Sequence, residues 1–267
     1  MSDVYCETTL NYARGEEQVA TPVTILDGRQ ETLDFDRCGF TLMPHRSAVS
    51  CWTDEEEVAR VHRPEVAEIA RRQLDCDVTV AYPPLIRSPK TAESHEDYAP
   101  INFVHSDFTS DYRDMVGNES RPYRDFIKPL LDEAGLTQAD VRAARRVAML
   151  QFWRNIGPIH PVHPFALCDA STSSREELDF ITVEEYGGQR LEFQTFYPND
   201  PRHAAHHQWY TFPSLTADEV IVFRTYDSEC EAQGRPYWTL HSAFVDPTVT
   251  DAPPRESVEM RVLCLWT

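Results

Sequence analysis

The sequence predicts a mainly β fold with flanking helices, arranged as an antiparallel barrel or sandwich. Three observations point there. After Val147, short runs rich in β-branched and aromatic residues follow one another with turns between them, at 147–153, 178–186, 190–197, 208–212, 220–226, 237–244 and 257–266. Nineteen prolines against nine glycines suit short, bounded strands and leave little material for a phosphate-cradling loop; no Walker or Rossmann glycine pattern is present. An apolar fraction of 41% with 26% charged residues over 267 positions is enough for a substantial folded core.

The N-terminal part can be justified element by element. Thr21 to Leu42 reads as short strands and turns at a sheet edge, with Pro22 to Leu26, the turn Asp27-Gly28, and Gly39 to Leu42. Asp54 to Gln73 has acidic residues in its first turn, Thr53 as N-cap and apolar Val58, Val61, Val66, Ile69 and Ala70 at helical spacing. Pro64 should kink it or divide it into two helices. Cys76 to Ile86 alternates and is valine-rich, a strand closed by Pro83-Pro84, and polar Arg87 to Tyr98 reads as a loop. Ile101 to His105 is a short strand. Tyr123 to Arg146 holds two helices separated near Gly135, the second capped by Thr137, packing outside the sheet. With no repeat and no long linker, the expectation is a single domain, 1–267, in which about the first 100 residues pack on a C-terminal β core.

Charge and cysteine usage exclude several function classes. With 25 Lys+Arg against 44 Asp+Glu the formal charge is −19, so no basic stripe is available for nucleic acid or an anionic membrane. Met1 to Arg14 lacks a signal-peptide core, and no apolar run is long enough to span a bilayer. Seven scattered cysteines without a Cys-x-x-Cys spacing fit reduced thiols in a soluble cytoplasmic protein. A homo-oligomer remains open.

Several polar residues could carry chemistry. His105-Ser106-Asp107 sets two ligand-type side chains at i and i+2 after a strand, on one side of the sheet. A second histidine would complete a two-histidine, one-carboxylate triad, the arrangement that leaves adjacent positions open on Fe(II). His241, within a strand-like run, is the best placed; His207, beside His206 at the start of another run, is its rival. On the last strand Arg255, Ser257, Glu259 and Arg261 share one face, and Val258, Met260 and Val262 the other. An arginine fork beside a hydroxyl suits the far carboxylate of a 2-oxoacid, with Arg261 either paired to Glu259 or assisting. The His203, His206 and His207 group near Arg202 reads as a solvated loop, and Asp218-Glu219 as a turn.

The order His-x-Asp, distal His, Arg-x-Ser resembles the Fe(II)/2-oxoglutarate dioxygenases. The runs Phe152 to Pro158, Pro164 to Asp169, His207 to Pro213, Asp218 to Phe223, Tyr226 to Ser228, His241 to Pro247 and Pro254 to Arg261 are similar to the CmcJ/NvfI/AsaB-type, gibberellin desaturase-like members. Weaker similarity reaches Asp27 to Arg29, Gly39 to Leu42 and Ser47 to Val49. The resemblance implies a double-stranded β-helix (jelly-roll) core, with Fe(II) on His105, Asp107 and His241 and 2-oxoglutarate on Arg255 and Ser257. O2 would be the co-reactant. The expected reaction is hydroxylation, desaturation or oxidative cyclisation of a small-molecule secondary metabolite through C–H abstraction; Asp107, in the carboxylate position, disfavours halogenation. Trp153, Arg154, Trp209, Tyr210 and Phe244 are expected around the substrate. Asn155 stands where the family often has proline, with His160 and His163 close by. The alternative is a catalytically silent β-barrel serving a biosynthetic enzyme as an accessory or binding subunit.

Overall fold

The computed structural model describes residues 3–267. In chain order the first seven strands are β1 (Val4–Arg14), β2 (Glu17–Asp27), β3 (Phe40–Pro44), β4 (Val78–Ala81), β5 (Leu85–Arg87), β6 (Ser106–Asp107) and β7 (Arg146–Asn155). They are followed by β8 (Phe165–Cys168), β9 (Leu178–Tyr186), β10 (Gln189–Pro198), β11 (Trp209–Thr211), β12 (Glu219–Asp227), β13 (His241–Ala243) and β14 (Ser257–Trp266). The helices are α1 (Phe35–Cys38), α2 (Glu55–Leu74), α3 (Pro89–Ser94), α4 (Tyr112–Gly117), α5 (Arg124–Glu133), α6 (Gln138–Ala143) and α7 (Ser228–Ala232).

One wall of the fold is a six-stranded sheet in the order β3-β12-β7-β14-β4, with β5 also paired to β14. Its centre is the long antiparallel ladder of β7 and β14, from Ser257 opposite Asn155 to Trp266 opposite Arg146. Strand alternation decides what each face does. Val258, Met260, Val262 and Cys264 of β14, with Ala148, Leu150 and Phe152 of β7, pack under Val58, Val66 and Ala70 of α2. The opposite face turns Ser257, Glu259, Arg261 and Gln151 inward, buried except for the partly exposed Arg261. The helix α2 is therefore an outer cover.

The facing wall is a five-stranded sheet, β1-β2-β11-β8-β13, and a three-stranded sheet, β6-β10-β9. They meet where His105, just ahead of β6, exchanges two backbone hydrogen bonds with His241 of β13: His105 N to His241 O at 3.1 Å, and His241 N to His105 O at 2.7 Å. This is the mainly β, double-stranded β-helix arrangement that the sequence leads one to expect. N-terminal strands are built into both walls, β2 in parallel with β11 and β3 antiparallel to β12.

Where local structure departs from expectation, the causes are local. The helix α2 is one continuous helix through Pro64, capped by Asp54 rather than Thr53, with the Asp54 side chain accepting from Glu57 N. Pro83-Pro84 interrupts the expected strand but does not end it, since β5 resumes beyond them and pairs with β14. The supposed loop after Arg87 contains α3, closed by a Ser88/Thr91 capping box and started by Pro89, followed by a single 3-10 turn. Ile101 to His105 contributes isolated bridges rather than a full strand. The strands β1 and β8 and the helix α4 go beyond the sequence reading. The capped α5–α6 pair matches it, with Thr137 forming a capping box with Asp140.

Candidate metal centre and its cavity

The two-way backbone bond between His105 and His241 makes these residues a hydrogen-bonded antiparallel pair, which sends both side chains to the same face. Their rings lie 4.3 Å apart between centroids. Each Nδ1 donates to a backbone carbonyl two residues back, His105 to Phe103 O at 2.7 Å and His241 to Thr239 O at 2.9 Å. Both protons are thereby assigned to Nδ1, and the two Nε2 lone pairs are left to face the cavity. Asp107, two residues after His105, joins them, and one ligand atom from each of the three side chains lies within 4.8 Å of the others. All three are buried.

Asp107 is held at one oxygen and free at the other. Its Oδ2 accepts from Arg261 Nη2 at 2.5 Å and from Gln151 Nε2 at 2.8 Å, whereas Oδ1 faces His105 Nε2 at 3.8 Å. Burial alone would raise the carboxyl, but Arg261 and the imidazoles of His105 and His241 outweigh it and hold it well below the usual carboxylate range. For His241 burial and His105 win over Asp107, and its imidazole is pulled down to about 3. Two imidazoles and one fixed carboxylate are the donor set that could hold a divalent first-row metal with open positions.

Arg261 lies between Asp107 and Glu259, whose Oε1 is 2.5 Å from its Nη2; burial opposes its charge, but these two carboxylates hold it above the ordinary arginine range. Arg255 is in a different situation. It is buried, its Nη1 donates to His163 O at 3.1 Å, and its guanidinium lies 5.6 Å from the Trp153 ring. Among the described residues no carboxylate forms an ion pair with it, its Nε has no hydrogen-bond partner, and neither has the buried Oγ of Ser257. Burial and Arg87 pull its guanidinium down to about 9. A buried cation without a counterion, next to a hydroxyl without a partner, is the chemistry of a receptor for an anion.

The three donors and the two arginines lie on one cavity of about 240 Å³. His105, Asp107 and His241 line it together with Arg255, Glu259 and Arg261, and most of the remaining wall is apolar or aromatic, including Tyr82, Ile101, Tyr123, Phe126, Phe165, Leu191 and Phe193. Of the substrate-wall candidates, Trp153 lies on this lining. Arg154, its neighbour on β7, points to the other face by strand alternation, donating to His45 O at 2.8 Å and stacking over Trp52. Trp209 is buried against Tyr12, Tyr210 packs on Phe40, and Phe244 belongs to the main core. None of these four borders the cavity. Asn155 spends its amide on backbone carbonyls, including Leu215 O at 2.9 Å.

The rival histidine is also accounted for. Trp209 Nε1 donates to Tyr12 Oη at 3.0 Å, so the Tyr12 proton goes to His207 Nδ1 at 2.9 Å, and His207 Nε2 donates to Glu177 at 3.1 Å. Both ring nitrogens of His207 are occupied, and it is not on the cavity lining. The sequence reading missed Gln151 and Arg87. A lone glutamine in the apolar run Val147 to Trp153 was the available signal for the first; nothing in the polar stretch after Ile86 marked the second.

With this geometry in view, comparison with known proteins is informative. A family model described as oxidoreductase/YMDC permease-like domain matches residues 4–265. The chain belongs to this family. Among curated relatives of this oxidoreductase-family chain, an alpha-ketoglutarate-dependent dioxygenase, phiK, from a fungal species is 29% identical over 250 residues, covering 91% of this chain and 83% of that protein. The gibberellin cluster GA4 desaturase of Gibberella fujikuroi is 23% identical over 93% of this chain and 87% of that protein. Among solved structures, a variant of the iron and alpha-ketoglutarate-dependent endoperoxidase NvfI superposes with a TM-score of 0.78 at 20% identity, covering 99% of this chain and 98% of that one. The CmcJ/NvfI/AsaB-type resemblance seen in the sequence therefore holds, and its relatives are Fe(II)/2-oxoglutarate dioxygenases and hydroxylase/desaturases. No helix among the described residues is long and apolar enough to cross a membrane.

Proposed function

We propose that this protein is an Fe(II)- and 2-oxoglutarate-dependent dioxygenase that hydroxylates, desaturates or oxidatively cyclises a small-molecule secondary metabolite. In this reading His105, Asp107 and His241 hold the metal, and Arg255 with Ser257 takes the far carboxylate of 2-oxoglutarate. The observation that carries it is the pairing, in one cavity, of a three-donor centre with a buried arginine that has no carboxylate partner. We read the whole chain, 1–267, as a single domain, supported by the family match over 4–265 and by N-terminal strands built into both walls. Seven free thiols suit a reducing, cytoplasmic setting.

Bound there, Fe(II) with 2-oxoglutarate and O2 supplies the oxidative decarboxylation to succinate and CO2 and the power to break a C–H bond. The chain's own residues do the positioning. The carbonyls of Phe103 and Thr239 keep the protons on Nδ1, so that both imidazoles present a lone pair. Arg261 and Gln151 occupy Oδ2 of Asp107, which keeps the carboxylate ionised and aims Oδ1 into the cavity. Arg255 and Ser257 fix the orientation of a dicarboxylate at its far end, and the aromatic lining excludes water from the reacting carbon.

Anaerobic addition of Fe(II) and 2-oxoglutarate tests the assignment. A weak metal-to-ligand charge-transfer band in the visible is expected, absent in Asp107→Ala. No band in the unmodified protein would refute the reading and favour an accessory or binding role.

A further inference from the structure

We propose that the protein carries a second metal-binding site, formed by Glu177, His203 and His206, for a late first-row dication such as Zn(II). One ligand atom from each of these side chains lies within 4.8 Å of the others. The site lies on the 3-10 turns Arg175–Glu177 and Pro201–Ala205, the second capped by His206, which flank β9 and β10 at the end opposite the hairpin tip. It shares no residue with the cavity lining.

The carboxylate is built in, in contrast to an ordinary surface glutamate. The buried relay from Trp209 through Tyr12 and His207 delivers an N–H to Glu177 Oε2 at 3.1 Å. Ser174 adds its backbone N–H to the same oxygen at 3.4 Å and its hydroxyl to Oε1 at 3.2 Å. Burial alone would raise Glu177, but these donors and His206 hold it below its ordinary value. His206 Nε2 sits 3.0 Å from Oε1, and His203 Nε2 sits 3.1 Å from Asn199 Oδ1. Asn199 is itself tied to the carboxylate's own backbone, its N donating to Glu177 O at 2.8 Å. The carboxylate is thus oriented by a buried histidine that acts behind the ligands, the role outer hydrogen bonds play at metal sites.

Imidazole nitrogen with a single carboxylate favours Zn(II), Ni(II), Co(II) or Cu(II) over Mg(II) or Ca(II), which prefer all-oxygen shells. Donors around tetrahedral zinc at about 2.0–2.1 Å are about 3.3 Å apart, so the wider pairs must contract by at most about 1.5 Å. The His206 side chain, half exposed, and His203 on its short turn have that freedom. Three protein ligands leave one position for water. Metal ligands must be deprotonated, so binding competes with protons and weakens as pH falls. Closing this site ties together the two ends of the β9–β10 hairpin, whose far part contributes Tyr186, Gly187, Gln189, Leu191 and Phe193 to the cavity wall.

The test is metal stoichiometry with Zn(II) alone, by calorimetry against a competing chelator. The unmodified protein should bind two equivalents, and the double variant His203→Ala/His206→Ala one. Asp107→Ala/His241→Ala should retain one, with a zinc-dependent rise in Tm that vanishes when His203 and His206 are also replaced. Two equivalents in the His203/His206 variant would overturn the proposal, as would one equivalent in the unmodified protein that is lost with Asp107 and His241. Because His203 and His206 lie at the surface and outside the cavity, their variant should keep the visible band with Fe(II) and 2-oxoglutarate. That band serves as its folding control.

Discussion

Replacing Arg255 by glutamine should have two effects of opposite sign. The guanidinium is buried and pulled down to about 9 by burial and by Arg87, against partial relief from Glu259. At about 1.4 kcal/mol per pH unit, holding the charge there costs the unliganded fold on the order of 3–5 kcal/mol. Glutamine removes that cost and gives up the hydrogen bond to His163 O at 3.1 Å and the contact with the Trp153 ring, together worth about 2 kcal/mol. The unliganded variant should therefore be more stable by about 1–3 kcal/mol, a rise in Tm of about 2–12 °C. In the liganded state the balance reverses. Losing a charge-assisted pair to a buried carboxylate costs about 2–4 kcal/mol, so affinity for 2-oxoglutarate should fall about 30- to 1000-fold. Thermal unfolding with and without 2-oxoglutarate, and KM for the cosubstrate, read both effects. A variant less stable than the parent with an unchanged KM would refute the reasoning, because Arg255 would then be a structural cation.

Three further outcomes follow from the geometry. Asp107→Ala should abolish turnover and leave Arg261 and Gln151 without their shared acceptor, so ordinary turnover in that variant would remove the carboxylate from the ligand set. Arg261→Met should weaken Co(II) binding about 10- to 100-fold with the cosubstrate contact at Arg255 intact, as expected for a group that orients a ligand; unchanged Co(II) affinity would limit Arg261 to packing. His62 and His207 are both pulled down to about 4, chiefly by burial, so they stay neutral in the fold while the unfolded chain takes up their protons below about pH 6.5. Stability is then full above that pH and is lost as pH falls from about 6.5 towards 4, by about 1.4 kcal/mol per unit for each group. Urea titrations across this range check the slope, which His207→Phe should reduce; a slope unaffected by that change would place the titration elsewhere.

Much of the candidate metal centre was legible because strand geometry converts sequence spacing into direction. His-x-Asp after a strand, and Arg-x-Ser at the start of the last one, each put two side chains on one face; His105, Asp107 and Arg255 line the same cavity, with Ser257 buried two residues beyond Arg255. The same alternation also shows why Trp153 and Arg154 could not both line it, since neighbours on a strand face opposite ways. The aromatic strand Trp209–Thr211 looked like a pocket wall because bulk and apolarity do not distinguish a cavity from a core. The strand β1 was overlooked even though Cys6, Leu10 and Tyr12 fall on one buried face. Gln151 could have been found as a polar interruption, whereas Arg87 and the hairpin residues reach the cavity through long-range pairing that no local pattern encodes.

The joint between the two smaller sheets is made by the main chain of His105 and His241, and their imidazoles play no part in those bonds. The spacing of these groups is set by a backbone ladder that any residue pair could form. Chemistry and architecture are thus separable at this point: in the proposed reading, exchanging either side chain removes a metal donor and leaves the main-chain joint between the sheets standing. A chain that lost either imidazole would keep its two sheets joined by the same pair of peptide groups, so the frame can outlast the donors it carries.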